Sequence, residues 1–272
     1  MQRPQSLEDY LIWAEGVIAC YFGDPKTQKL YDINLINIYN TVIKHSFFVG
    51  FSNKAKEWEA YYESRTKSNL FMGNGDPNLQ IKPYDSVVEK TYRKNILWNR
   101  NYPKPPQDGW YASRNLYSRL NDLVRGTLVC RFIDGPSFVA QAIKSYANEH
   151  GLQCRQYSQE REDGYYAFHV YISFPVTIVD GGLNEEQVLV QVEIQITTQL
   201  QEVLRTLTHQ FYKTQRLAVS ADRGKWKWDF SSPRFKVGYL SHALHLLESI
   251  ILESRNNVLG GDLEFVEVQD ND

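Results

Sequence analysis

The stretch from Gly164 to Lys213 constrains this chain more than any other. It holds two strand-like runs, GYYAFHVYISF and VLVQVEIQITT, and then a helical run. Successive side chains of a strand point to opposite faces. In the second run Val188, Val190, Val192, Ile194 and Ile196 therefore make one apolar face. Gln191, Glu193, Gln195 and Thr197 make the other. In the first run Tyr165, Ala167, His169 and Tyr171 share a face. A carboxylate in mid-strand, flanked by amides, predicts a wet surface used for chemistry. In the helical run Leu200, Val203, Leu204, Leu207 and Phe211 fall on one apolar stripe.

The rest of the chain supplies elements around that centre. Ser6 with Asp9 reads as a capping box opening a helix through LEDYLIWAEGVIACYF. Further helices are expected through INLINIYNTVIKHSFF and NKAKEWEAYYESRTK, then a break at residues 72–77. Another helix should begin near Pro83 or Asp85, followed by a Pro-rich loop at 101–109 and a strand at Thr127–Phe132. A turn at Asp134-Gly135-Pro136 leads into a helix stopped by Gly151. The last helix should start at Ser232-Pro233 and bury Leu240, Ala243, Leu244, Leu247, Ile250 and Ile251. This order predicts an α/β (α+β) fold with a mixed central β-sheet flanked by helices. It divides into a helical N-terminal extension over 1–80, a core over 81–220 and a helical C-terminal segment over 221–272, a candidate for regulation.

Composition narrows the class of protein. A formal net charge of −2 over 272 residues carries no global nucleic-acid signature, so any RNA contact needs a local basic patch. Cys20, Cys130 and Cys154 lack metal or redox spacing, which predicts a reducing compartment. No apolar run approaches a membrane span, and Glu8, Asp9 and Glu15 interrupt the N-terminal segment. The expectation is a cytoplasmic protein with no membrane partner.

Several side chains have chemistry to offer. Lys90, Arg93 and Lys94 make a basic helix face behind Ser86, either a polyphosphate cradle or a solvated surface. Asp122, just ahead of a strand, is either a turn residue or a metal ligand. Tyr165 and His169 are either a packing pair or a ligand-binding pair. His242 and His245 lie one turn apart without a third metal ligand at a telling spacing. Arg216, Arg223, Lys225 and Lys227 alternate with Trp226 and Trp228, as in an RNA-contacting loop or a loop whose tryptophans anchor the last helix.

Three motifs occur in order: Gly164-Tyr165-Tyr166-Ala167-Phe168-His169, then Glu193-Ile194-Gln195-Ile196-Thr197-Thr198, then His209 with Tyr212-Lys213. Together they resemble the RelA/SpoT-homology synthetase domain, over roughly Lys82 to Lys213. The resemblance implies a nucleotidyltransferase-like fold that moves pyrophosphate from ATP to a ribose 3′-hydroxyl. It implies Mg²⁺ held by Asp122 and Glu193, with Glu193 also placed to take the hydroxyl proton. It assigns Lys82, Ser86, Lys90 and Arg93 to the ATP phosphates. Tyr165 is assigned to stacking on the acceptor base, His169 to the acceptor phosphate or ribose, and Gln195 to orienting Glu193 or a substrate hydroxyl. His209, Tyr212 and Lys213 become supporting residues.

Three departures stand out. Ile81, Thr127 and Thr197 occupy places where the family carries arginines, the first two of which flank the adenine of ATP. Arg125, Arg131, Arg65 and Lys67 are candidates to replace them in space. The EIQITTQLQE form, the GYYA variant and the extra YLSHALHLLE helix resemble the toxic small alarmone synthetase branch. That branch implies a toxin acting on the tRNA 3′-CCA end, with an antitoxin protein or a phage trigger as partner. The alternatives are synthesis of (p)ppGpp or (p)ppApp on a purine nucleotide, or a catalytically degenerate binding or regulatory module.

Overall fold

The computed structural model describes residues 2–162, 164–182, 184–207 and 226–259. The α/β architecture is as expected: a five-stranded mixed sheet flanked by helices. The helices are α1 (Leu7–Ile18), α2 (Pro25–Lys44), α3 (Ser46–Thr66), α4 (Tyr84–Tyr92), α5 (Leu116–Arg119), α6 (Gly135–Glu149), α7 (199–207) and α8 (Pro233–Leu259). The strands are β1 (Gln80–Ile81), β2 (Val124–Cys130), β3 (Cys154–Glu160), β4 (Tyr166–Val179) and β5 (Glu185–Thr198). The spatial order is β1-β2-β5-β4-β3, with β1–β2 and β3–β4 antiparallel.

Two compact units are present. The first comprises Met1–His45, Leu79–Arg125 and Ser173–Glu193; the second comprises Ser46–Asn78, Gly126–Ile172 and Ile194–Asp272. The first carries α1, α2, β1, α4 and α5, and its interior is aromatic and hydrogen-bonded. Tyr10 donates to Thr91 Oγ1 at 2.9 Å and accepts from Asn95 Nδ2 at 2.9 Å. Asn34 of α2 clamps β4 by pairing with both the N–H and the C=O of Val179, each at 2.8 Å. Buried hydroxyls and amides cost free energy unless paired, so these bonds let polar side chains serve as core.

The second unit carries α3, α6, β3, α7 and α8. Glu59 of α3 accepts from the backbone N–H groups of Leu70 and Phe71, fixing the segment that bridges to Cys130. At the far end of α8, Arg255 donates to Asp134 Oδ2 at 3.0 Å and to the Tyr62 hydroxyl at 2.6 Å.

Local signals read from sequence are visible at several termini. Ser6 and Asp9 form the expected reciprocal cap at 3.0 and 3.1 Å. Pro136 lies in the first turn of α6, and Gly151 takes φ +67° just past its end. Elsewhere the elements differ. The helix expected through residues 33–48 breaks at His45, which is extended (φ −64°, ψ 141°), and α3 starts at Ser46 so that Phe47 and Phe51 turn inward. Strand β2 starts at Val124 rather than Thr127, because Val124 pairs with Ile81 of β1. Strand β3 was not expected. Its polar sequence CRQYSQE occupies the edge of the sheet, where only part of its surface needs to be apolar.

The largest difference concerns α8. Its buried residues are Gly238, Ser241, Glu248, Arg255 and Asn256. Leu240, Leu247, Ile250 and Ile251, expected to be buried, are 45–50% exposed. Polar partners on other segments set the buried stripe, as detailed below. In α7, Gln201 and Leu204 are buried while Val203 and Leu207 are exposed, and Phe211 lies outside the described residues.

Candidate active site

In the first unit, chain geometry brings Lys82 to Asp122. Ile81 pairs with Val124, and the Lys82 N–H then donates to the Leu123 carbonyl at 2.8 Å. The Tyr31 hydroxyl donates to the Lys82 carbonyl at 2.7 Å, so the backbone there is held from both sides. Helix α4 follows immediately and carries Lys90 back to the same carboxylate. Lys82 Nζ donates to Asp122 Oδ2 at 2.7 Å and Lys90 Nζ donates to Asp122 Oδ1 at 2.8 Å. The three side chains are 9%, 15% and 13% exposed, so this is a largely buried cluster of two cations and one anion.

The electrostatics follow from that imbalance. Burial pushes the Asp122 carboxyl up, but Lys90 and Lys82 outweigh it and hold the group down at about 2. Burial pulls Lys82 below the ordinary lysine value; Asp122 opposes this, while Lys90 and Arg125 add to the depression. The shifts are asymmetric because the anion has two partners, whereas Lys82 shares one anion with other cations. Taken by themselves, the two lysines and Asp122 carry a net positive charge. A phosphate is a fitting complement.

Of the other residues expected at the phosphates, Arg93 is buried beside Glu89, 3.8 Å away, and over the Trp98 ring at 5.6 Å. It keeps α-helical dihedrals one turn after Lys90 and opens a π-helical turn (Arg93–Leu97) at the end of α4. Ser86 is half-buried on α4. Ile81 is 44% exposed. Among the candidate replacements for the missing arginines, Arg125 acts on Lys82. Lys67 Nζ donates to Ser64 O at 3.0 Å and Arg131 Nε donates to Phe71 O at 3.2 Å, both in the second unit.

Glu193 lies on β5, the neighbour of β2 in the sheet. It is 5% exposed, so the expected wet face is closed at this position; Gln191 and Gln195 on either side are half-buried. Two carboxylates suit a hard cation that keeps waters and substrate oxygens as its other ligands. Asp122 is ionised across the neutral range, as a Mg²⁺ ligand must be, although both its oxygens are engaged by lysines here. Among the described residues, no group of three or more His, Cys, Asp or Glu side chains is arranged to hold a metal ion.

In the second unit, Tyr165 and His169 are brought together. The Tyr165 hydroxyl and His169 Nε2 are 2.9 Å apart, and the Tyr171 hydroxyl lies 3.3 Å from Nδ1 of the same ring. His169 is 5% exposed, so its ring sits between two phenols as a buried polar relay. Arg161 lies over the Tyr165 ring at 5.0 Å. Gln195 is half-buried on β5.

His242 and His245, one turn apart on α8, both turn to Tyr166. His242 Nδ1 is 2.5 Å from its hydroxyl, and His245 stacks on its ring at 3.8 Å and 8°. Sequence reasoning did not foresee these contacts. In the loop before α8, Trp226 is buried and Trp228 is 88% exposed, and Lys227 pairs with Glu162 at 3.2 Å. His209, Tyr212, Lys213, Arg216, Arg223 and Lys225 lie outside the described residues.

Thr197 Oγ1 donates to the Tyr166 carbonyl at 3.3 Å, a structural use of the position where the resembled family has arginine. The three cysteines are free thiols. Among the described residues, no helix is long and apolar enough to cross a membrane.

No protein-family profile matches the sequence, and no curated protein matches it. Similar solved structures include the small alarmone synthetase 1 from Bacillus subtilis, with 18% identity over 79% of this chain and 97% of that chain, and a TM-score of 0.48. The small alarmone synthetase 2 from Bacillus subtilis is similar at 16% identity over 80% and 98%, TM-score 0.48. A GTP pyrophosphokinase family protein from Streptococcus pneumoniae is similar at 15% identity over 81% and 94%, TM-score 0.46.

Proposed function

We propose that this chain is an ATP-dependent pyrophosphokinase that transfers pyrophosphate to a ribose 3′-hydroxyl. The observation that carries the reading is the buried cluster of Lys82, Lys90 and Asp122. It stores two phosphate-binding cations on a carboxylate until a polyphosphate arrives. The ordered motifs around Tyr165 and Glu193 give the cluster its chemical context.

In this reading Lys82 and Lys90 pass from Asp122 to the ATP phosphates, with Ser86 and Arg93 beside them. Asp122, released, and Glu193 would hold Mg²⁺, which when bound screens the charge of the triphosphate. Glu193 accepts the proton of the 3′-hydroxyl as its oxygen attacks the β-phosphorus. The bond between the β-phosphorus and the bridging oxygen breaks, and AMP leaves. Tyr165 stacks on the acceptor base, His169 holds the acceptor ribose or phosphate, and Gln195 orients the hydroxyl.

The acceptor we favour is the tRNA 3′-CCA end. Its terminal adenosine has no free 5′-diphosphate to clamp, which fits a site with Thr197 in place of an arginine. The protein would then act in the cytoplasm as a toxin that inhibits translation, restrained by an antitoxin or released by a phage trigger. A second reading, a binding module that has lost catalysis, draws on the engagement of both Asp122 oxygens by lysines.

The test uses ATP labelled at the γ-phosphate, Mg²⁺ and, separately, deacylated tRNA, GDP, GTP and ADP, with Glu193→Gln as control. Label on tRNA that disappears in the variant is the expected result. Label on a free nucleotide instead would make the protein an alarmone synthetase. No label, with folded protein, would favour the degenerate module.

A further inference from the structure

The segment that carries Tyr165 is gripped on both sides by α8. Ser241 Oγ donates to the Gly164 carbonyl. His242 Nε2 is 3.0 Å from the Glu162 carbonyl, and its Nδ1 is 2.5 Å from the Tyr166 hydroxyl. A carbonyl can only accept, so Nε2 carries a proton and donates to Glu162, while Nδ1 faces the Tyr166 hydroxyl. One imidazole thus ties down the residue three before Tyr165 and the one after it. His245 stacks on the Tyr166 ring.

The fit is too tight to be a loose surface contact. Gly164 takes φ +87°, and a Cβ placed on it would lie 2.7 Å from both the Gly238 carbonyl oxygen and Ser241 Cβ. The same stripe of α8 reaches the end of β5 and the start of α7. Glu248 accepts from Thr198 Oγ1, and the Ser241 hydroxyl lies 2.9 Å from Gln201 Oε1. These contacts also account for the polar buried stripe of a helix whose apolar residues stay exposed. Within the loop itself, Arg161 N–H donates to Tyr165 O at 3.1 Å and Gly164 N–H to Arg161 O at 2.9 Å.

We infer that α8 is a positioning strut for Tyr165, in which Ser241 and His242 hold Glu162, Gly164 and Tyr166 in place and thereby set acceptor affinity without touching the acceptor. The inference rests on the proposed role of Tyr165 in stacking on the acceptor base. Pre-organising a loop removes an ordering cost from binding, so loosening it weakens the ligand that uses the loop and spares the one that does not.

Full-length wild type, His242→Ala and His242→Gln would be compared for binding of deacylated tRNA, GDP and a non-hydrolysable ATP analogue with Mg²⁺. Amide hydrogen exchange at Arg161 and Gly164 would be followed alongside. His242→Ala should weaken the bound acceptor about tenfold, leave the ATP analogue within twofold, and speed exchange at both amides. His242→Gln keeps an N–H able to reach the Glu162 carbonyl and should recover most of the affinity. Equal losses for acceptor and ATP analogue, or faster exchange with unchanged acceptor affinity, would overturn the strut. Unchanged exchange in His242→Ala would also overturn it, and would leave the proposed function standing. Wild-type protein that binds neither acceptor would instead remove the proposed function, and the acceptor role of the strut with it.

Discussion

Lys90 of α4 and Asp122 ahead of β2 meet at 2.8 Å, across 32 residues of sequence, while Lys82 takes the other carboxylate oxygen. Removing the anion would leave two ammonium groups facing each other in a largely buried site. Asp122→Asn should therefore cost about 3 kcal/mol of stability, within the range for breaking a buried ion pair. Denaturant unfolding measures this, and a midpoint equal to wild type would show that the cluster is not strained by its charges. Transfer from ATP should be lost as well.

The same cluster sets an acid limit. Asp122 titrates near 2 in the folded chain against an ordinary value of 3.8. A carboxyl with a depressed folded value contributes stability that is complete above about pH 4 and lost as pH falls through about 2. The contribution is about 2 kcal/mol at neutral pH, from roughly 1.4 kcal/mol per pH unit. Stability followed from pH 5 to pH 2 should fall more steeply in wild type than in Asp122→Asn. Parallel curves would assign the acid loss to other groups.

Glu193→Gln keeps the shape of a buried side chain and removes its charge. Transfer should drop by about 10²- to 10⁴-fold, the usual size of general-base catalysis. Binding of an ATP analogue measured without Mg²⁺ should change little. If transfer persists at the wild-type rate with tRNA or GDP, Glu193 is not the base.

Gly164→Ala places a methyl against the backbone of α8 in a left-handed conformation. A loss of about 2 kcal/mol is expected from the combined strain and clash. The measurement is thermal unfolding, and a stability change within the noise would mean that α8 moves aside at no cost.

Arg255, 4% exposed, joins α8 to Asp134 and Tyr62. Arg255→Ala leaves Asp134 without its cation and should destabilise the second unit by about 3 kcal/mol. Local hydrogen exchange in α8 reports it. Protection equal to wild type would place the anchoring of α8 elsewhere along its polar stripe.

Much of this was legible in the residues. The reciprocal cap of Ser6 and Asp9, the Pro136 start and Gly151 stop of α6, and the alternation of Val190, Val192, Ile194 and Ile196 are short-range patterns. They depend on backbone geometry over a few residues, so sequence alone determined them. It also placed Lys90 on a helix, Asp122 ahead of a strand and Tyr165 beside His169. What it did not contain was which groups cover one another. Period-2 alternation marks Glu193 as polar-faced but does not tell that the face is closed. Helical periodicity sorts α8 into an apolar and a polar side, and predicted the wrong one to be buried. Burial is settled by partners distant in the chain: Gly164, Thr198, Gln201 and Asp134 supply the hydrogen bonds that make a polar stripe the better one to bury. The pairing of two lysines on one aspartate is likewise a product of the tertiary structure, because only the register of β1 on β2 and the direction of α4 bring charges so far apart in sequence within 3 Å.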